Sequence, residues 1–196
     1  GIPVFVWNRD GPANKGDKHW RQWLLKKAPL FDFYASHTAQ EIFGTPERFV
    51  YLPNAAWDTE YNLGETSMAD LRDPANYDYD VSFHGRIDSK KYPELKSRDN
   101  FLKELGQRLS AAGISYRFTQ DRLSYEDQRT LIQRSKISLN VHASCDFCYH
   151  KSVPSEKRER SWGLPERCFG VPACGGFLLS DTRRHGPEAF HGDLEW

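Results

Sequence analysis

The chain has 196 residues, of which 38% are hydrophobic, and its 27 lysines and arginines equal its 27 aspartates and glutamates. Without a net field, binding driven by nucleic acid or an anionic membrane is not expected, and a charged ligand has to be met by local groups. No apolar run approaches the roughly 20 residues that cross a bilayer, and the first residues lack the segments of a signal peptide, so a soluble cytoplasmic protein without a membrane span is expected. Cys145, Cys148, Cys168 and Cys174 are too few and too clustered for a disulfide scaffold and read as reduced. Aromatic residues make up 14%, which suits a sugar or nucleotide cleft and a packed core equally well.

In chain order, residues 3–7 read as a strand that opens almost at residue 1, so earlier sequence is expected ahead of it. Residues 8–17 read as a loop. Trp20, Trp23, Leu24 and Leu25 have helical spacing over 19–30, followed by a strand at 31–35. Thr38 caps a short helix that ends at Gly44, and residues 49–52 form a third strand stopped by Pro53. Strands alternating with helices in this way predict a parallel sheet. Residues 54–79 carry no period and read as a connector between two lobes.

The second lobe opens with a strand at 81–83 and the turn His84-Gly85-Arg86. Ser97 is expected to cap a helix with an apolar stripe of Phe101, Leu102, Leu105 and Leu109, ended by Gly113. A strand follows at 114–118, and Ser124 with Asp127 resembles a capping box ahead of a helix holding Leu131 and Ile132. Ile137, Leu139 and Val141 alternate with Ser138, Asn140 and His142, the pattern of a strand. Pro165 and the Gly175-Gly176 pair bracket a short helix over 165–173. Phe177-Leu178-Leu179 is a continuous apolar run and reads as the more deeply buried strand. The chain stops soon after Asp181, where a doubly wound lobe would continue, so this end too is expected to be cut.

Three strings carry a family resemblance: Tyr79-Asp-Val-Ser-Phe-His-Gly-Arg86, Ser135-Lys-Ile-Ser-Leu-Asn-Val-His142, and Arg167-Cys-Phe-Gly-Val-Pro-Ala-Cys-Gly-Gly-Phe-Leu-Leu-Ser-Asp181. In this order and spacing they resemble the C-terminal lobe of GT-B glycosyltransferases of the CgeB-like, spore-maturation branch. Residues 49–56 are similar to the end of that family's N-terminal lobe. The resemblance implies an α/β protein of two Rossmann-like lobes with mainly parallel sheets and a cleft between them. The expected division is 1–75 for the end of the N-terminal lobe plus linker, and 76–196 for the nucleotide-sugar-binding lobe. It also implies a nucleotide-sugar donor, a UDP- or GDP-sugar, an acceptor it does not identify, and no required metal cofactor.

By the resemblance, Gly85 and Arg86 approach the donor diphosphate, assisted by Lys90 and Lys91, with Glu166, Arg167 and the Gly175-Gly176 pair as further donor contacts. Glycine admits a ligand close to the backbone, and a guanidinium grips phosphate oxygens with two bonds. The family places a ribose-holding glutamate three residues after the arginine, whereas this chain has Gly170, with Glu166 ahead of the arginine as a substitute. Pro172 interrupts the helix expected to face the phosphates. Asn140 and His142 read either as donor or acceptor contacts or as satisfied polar groups at a sheet end. Arg167 reads as a phosphate ligand or as the partner of Glu166, and Asp181 as a sugar contact or a turn cap.

His142, Cys145, Cys148 and His150 have the ligand types of a zinc site, with Cys168 as a distant completing ligand, against readings as a redox Cys-x-x-Cys or as plain loop residues. Residues 151–160 form a charged loop, either a flap or a solvated surface. Asp10 and His37 follow N-lobe strands, but no motif selects either as a base. The alternative to an active transferase is a non-catalytic, degenerate binding module with a zinc-stapled Cys/His loop. Neither a P-loop nor a Gly-x-Gly-x-x-Gly fingerprint supports another doubly wound enzyme.

Overall fold

The structure, a computed structural model, describes residues 2–8, 31–36, 49–90, 95–142 and 164–182. They divide into a first unit, whose described strands lie before Asn54, and a second formed by residues 55–142 and 165–181.

In the first unit, β1 (Phe5–Asn8), β2 (Phe33–Ser36) and β3 (Phe49–Tyr51) form a parallel sheet in the order β1-β2-β3. Phe5 pairs with Phe33, and Tyr34 with Phe49. Tyr34 and Ala35 of the middle strand are buried, as expected of the strand with a neighbour on each side. Each strand expected from the sequence is present with its ends shifted by two residues or fewer. The expected helices at 19–30 and 38–43 lie outside the described residues.

The second unit begins with the stretch read as a connector. It is not wholly irregular: α1 (Met68–Arg72) and a 3-10 turn (Pro74–Asn76) lie within it. A capping box starts α1. Ser67 Oγ accepts from the Asp70 amide at 3.1 Å and the Ser67 amide donates to Asp70 Oδ2 at 2.9 Å. Five residues are too few for a periodic signal, which is why the sequence pattern passes over the helix.

Then follow β4 (Tyr79–His84), α2 (Lys96–Ala111), β5 (Tyr116–Thr119), α3 (Tyr125–Gln133), β6 (Ser135–Asn140), α4 (Arg167–Ala173) and β7 (Leu178–Ser180). The four strands are all parallel, in the order β5-β4-β6-β7. Both sheets are therefore parallel and the fold is α/β.

Val81 and Phe83 of β4 and Leu139 of β6 pack with Leu102 of α2 into the core, joined by Leu105, Leu109, Phe118, Ile137 and Val141. Burying a side chain such as Phe83 or Leu102 contributes on the order of 1.5–3 kcal/mol. Phe101, expected in the same stripe, is 49% exposed, because one residue along a helix turns the side chain about 100° from Leu102. Helix α2 begins at Lys96 without a side-chain cap, so Ser97 lies inside the first turn instead of capping it. Its end is as expected: Gly113 adopts φ +69° and Ile114 N returns to Leu109 O at 2.9 Å. Ser124 caps α3, its Oγ accepting from Asp127 N at 3.0 Å, an interaction of about 1 kcal/mol.

The relative depth of the last two strands is the reverse of the expectation. In β6, Ser135, Ser138, Leu139 and Asn140 are buried, whereas Phe177 is 63% and Leu179 of β7 is 53% exposed. Among the described strands β6 has a neighbour on each side and β7 only one. Position in the sheet thus outweighs the apolar run.

Candidate functional site

The chain passes from β4 to β5 on one side and returns to β6 on the other. Connections therefore leave the carboxyl ends of β4 and β6 in opposite directions, which opens the crevice where α/β sheets bind ligands. Phe83, His84, Gly85 and Arg86 lie at the first end, and Asn140, Val141 and His142 at the second.

Arg167, the first residue of α4, reaches this point. Its Cζ lies 5.0 Å from the centre of the Phe83 ring and its Nη1 donates to Asn140 Oδ1 at 2.9 Å. None of the ion pairs among the described residues involves Arg167, so the expected alternative of pairing with Glu166 is not what holds it. Burial lowers the affinity of the guanidinium for its proton, against the opposing influence of Cys168, Tyr61 and Asp181. An arginine nonetheless stays charged at any physiological pH. A half-buried cation whose partners among the described residues are a neutral amide and a ring face gains when an anion joins it.

Asn140, fully buried, ties the site together. Its Nδ2 donates to Ser180 Oγ at 2.7 Å and to Cys168 Sγ at 3.0 Å, and lies 3.4 Å from His142 Nδ1. His142 Nδ1 hydrogen-bonds Asp181 Oδ1, and the His142 amide approaches the same carboxylate at 3.3 Å. The Asp181 amide donates to Asn140 O at 3.0 Å, which completes a bridge between the ends of β6 and β7. One imidazole nitrogen is thereby engaged by a carboxylate. The other members of the expected zinc cluster, Cys145, Cys148 and His150, lie outside the described residues, as do Lys91, Asp10, His37 and the 151–160 loop. Among the described residues no group of three or more metal-ligating side chains occurs.

Gly85 also belongs to this cluster. A Cβ there would lie 2.6 Å from Arg167 Nη2 and 3.1 Å from Phe83 Cζ, so only glycine lets the guanidinium rest against this backbone. The following turn is held from β5: Gly85 N donates to Thr119 O at 3.0 Å, and Ile87 N and Asp88 N both donate to Gln120 Oε1. Arg86 and Lys90 are exposed along it. The structure thus brings Gly85, Asn140, His142 and Arg167 together.

It places the remaining expected residues elsewhere on α4. Glu166 is half-buried immediately ahead of the helix and makes no capping bond. Gly175 and Gly176 sit at the opposite end, against Leu63 and Leu71 and against Ile132 and Val171 respectively. Pro172 does not break the helix, because it falls in the last turn, and the Cys174 amide still reaches Gly170 O at 3.1 Å.

Gly170 has a tertiary cause. A Cβ at this position would stand 2.8 Å from Tyr61 Cδ1, so the tyrosine ring fills the space a glutamate would need. Tyr61 is buried, donates to Gln128 Oε1 at 3.1 Å and meets Tyr125 edge-on at 5.6 Å. Burial, with Glu166 next in effect, pushes the Tyr61 phenol up to about 12.

One residue that sequence reasoning missed is Arg98. It is 7% exposed, its Nη1 donates to Val141 O at 3.2 Å and its Nη2 to Arg86 O at 2.5 Å, and its Cζ stands 5.5 Å from the Phe83 ring. The available signal was its place four residues before Leu102, on the buried face of an amphipathic helix, where an arginine needs a partner.

Comparison with curated proteins and with solved structures returns no match. Among models of protein families, one described as glycosyl transferase-like matches residues 22–195, most of the chain. Two parallel α/β sheets, and a switch point furnished with a half-buried cation, agree with that match, and the chain belongs to the glycosyl transferase-like family.

Proposed function

We propose that the protein is a glycosyltransferase of the GT-B, CgeB-like type that moves a sugar from a UDP- or GDP-sugar to an acceptor. The observation that carries this reading is Arg167, a half-buried guanidinium held, among the described residues, by the Asn140 amide and the Phe83 ring, at the switch point of a parallel sheet. In the reaction the bond from sugar C1 to the diphosphate oxygen breaks and a bond from an acceptor oxygen to C1 forms. The acceptor loses its proton, and negative charge collects on the departing nucleoside diphosphate. A guanidinium fixed by Asn140 and Phe83 before the substrate arrives stabilises that charge without reorganising. Gly85 lets the diphosphate lie close to the backbone, and the exposed Arg86 and Lys90 extend the positive rim. The counter-charge comes from side chains, so this reading requires no bound metal. With Tyr61 against Gly170, the ribose is held by groups other than residue 170, and Glu166 is the carboxylate beside α4 that can serve.

Calorimetry with UDP, GDP, ADP and their sugars tests the reading, repeated with Arg167→Ala. Saturable binding of one of them, weakened by about 1.5–3 kcal/mol in the variant, is the expected outcome. A folded wild-type protein that binds none of them would overturn it.

A further inference from the structure

We propose that Arg98 is the positioning residue of this site: it holds the turn after β4 and the turn after β6 at a fixed spacing, so that Gly85 and Arg167 face one nucleoside diphosphate. The inference rests on the donor-site reading and names a residue that does not itself touch the donor. Arg98 is 7% exposed, and both of its Nη atoms are used on carbonyls, Val141 O at 3.2 Å and Arg86 O at 2.5 Å.

Those carbonyls belong to the two chain segments that diverge at the switch point. Among the described residues no backbone hydrogen bond joins the two turns directly, so the guanidinium supplies a polar link between them. The turn after β4 has further supports, in Gln120 Oε1 and in Ser89 Oγ donating to Asp99 Oδ2. These supports fix its shape. Arg98 fixes its distance from β6.

The same residue sets the environment of Arg167. Arg98 and Arg167 lie 5.5 and 5.0 Å from the centre of the Phe83 ring, so a nearly inaccessible aromatic is shared by two cations. The negative face of the ring favours each cation. Only a planar fork can serve two divergent carbonyls and lie against a ring at once, whereas a lysine ammonium is a point charge on a flexible stem. A misplacement of about 1 Å in a site built on orientation costs up to a hundredfold in rate, and a smaller but large loss is expected in affinity.

The test measures UDP, GDP, ADP and inorganic pyrophosphate binding by calorimetry for wild type, Arg98→Gln, Arg98→Lys and Leu131→Ala. Leu131 is buried on α3 beside a cavity that Asp78, Tyr79 and Arg134 of the opposite, amino end of the sheet also line, so its variant serves as the control for destabilisation. Arg98→Gln is expected to weaken the bound nucleotide and pyrophosphate alike by about tenfold or more. Arg98→Lys should fall between it and wild type. Leu131→Ala, with a comparable loss of melting temperature, should stay within about twofold of wild type. Equal affinities of Arg98→Gln and Leu131→Ala would overturn the positioning role while leaving the donor site standing. If Arg98→Gln does not fold, wild-type affinity in Arg98→Lys has the same force. A folded wild type that binds none of the probes overturns the donor-site reading itself, and the positioning role with it.

Discussion

The two ends of the second sheet treat charge in opposite ways. At the amino ends, Arg134 grips Asp78 with two bonds of 2.5 and 2.6 Å, and Lys136 reaches Asp80 at 2.6 Å, with all four side chains partly exposed. At the carboxyl ends Arg167 is half-buried, and among the described residues an amide and a ring hold it. The amino end is complete as it stands. At the carboxyl end the Asp181 carboxylate is engaged by His142, and among the described residues no ion pair includes Arg167. Exposed pairs contribute little and say little about function, whereas a half-buried cation outside any ion pair of the described residues suits a site where a ligand supplies the charge.

The sharpest way to break this contrast is Arg167→Met. It is expected to lower nucleotide affinity ten- to a hundredfold or more, with no fall in melting temperature, because replacing a half-buried charge by an apolar side chain is commonly neutral or stabilising. Thermal unfolding alongside calorimetry checks it. A large loss of stability would show that the arginine serves the fold and would remove the contrast.

Asn140→Leu should cost about 2–4 kcal/mol in denaturant unfolding, since it leaves Arg167 Nη1 and Ser180 Oγ without their buried partner. If the loss is below about 1 kcal/mol, the hub is not structural. Gly170→Glu brings in the glutamate that the resemblance leads one to expect but meets the Tyr61 ring, and a loss of about 1–3 kcal/mol is expected. The cost should shrink in a Tyr61→Ala background, and additive losses in that double-mutant cycle would mean that the ring is not the obstacle.

The smallest effect belongs to the amino end. Lys136, with Ser115 next, depresses the Asp80 carboxyl to about 2, below its ordinary value of 3.8. A depressed carboxylate contributes stability that is present above its unfolded value and lost as pH falls through the folded one, here between about 4 and 2. Asp80→Asn should flatten that part of the acid unfolding curve, and added salt should shrink the difference. An unchanged acid limb would remove Asp80 from the account.

Tyr61 gives the opposite limb of the pH profile. Its phenol titrates near 12 in the folded state against 10 unfolded, so stability is full below about 10 and falls as pH rises toward 12. Ultraviolet titration should show a tyrosine that ionises late, and that late step should vanish in Tyr61→Phe.

Much of the second unit was legible in the sequence because its signals are local. The alternation of Ile137 and Leu139 with Ser138 and Asn140 marked β6, Ser124 marked the start of α3, and Gly113 marked the end of α2. Gly85, Asn140, His142 and Arg167 were also named in advance, from strings at strand ends. The failures have separate causes: the helix at 68–72 is too short for a period, Phe101 sits one residue off the buried stripe, Ser97 falls inside the first turn of α2, the depth of β7 follows from its place in the sheet, and Arg98 has no motif around it.

By itself the sequence determined the parallel α/β plan, since strand and helix periods are written in neighbouring residues and their alternation leaves few topologies. Tertiary structure alone decided which polar groups lose water. Asn140 is sealed by residues 168 and 180, Gly170 is occupied by a tyrosine 109 positions away, and Arg98 spans two turns 55 residues apart. Desolvation is a property of everything within a few ångströms, and no local period records it.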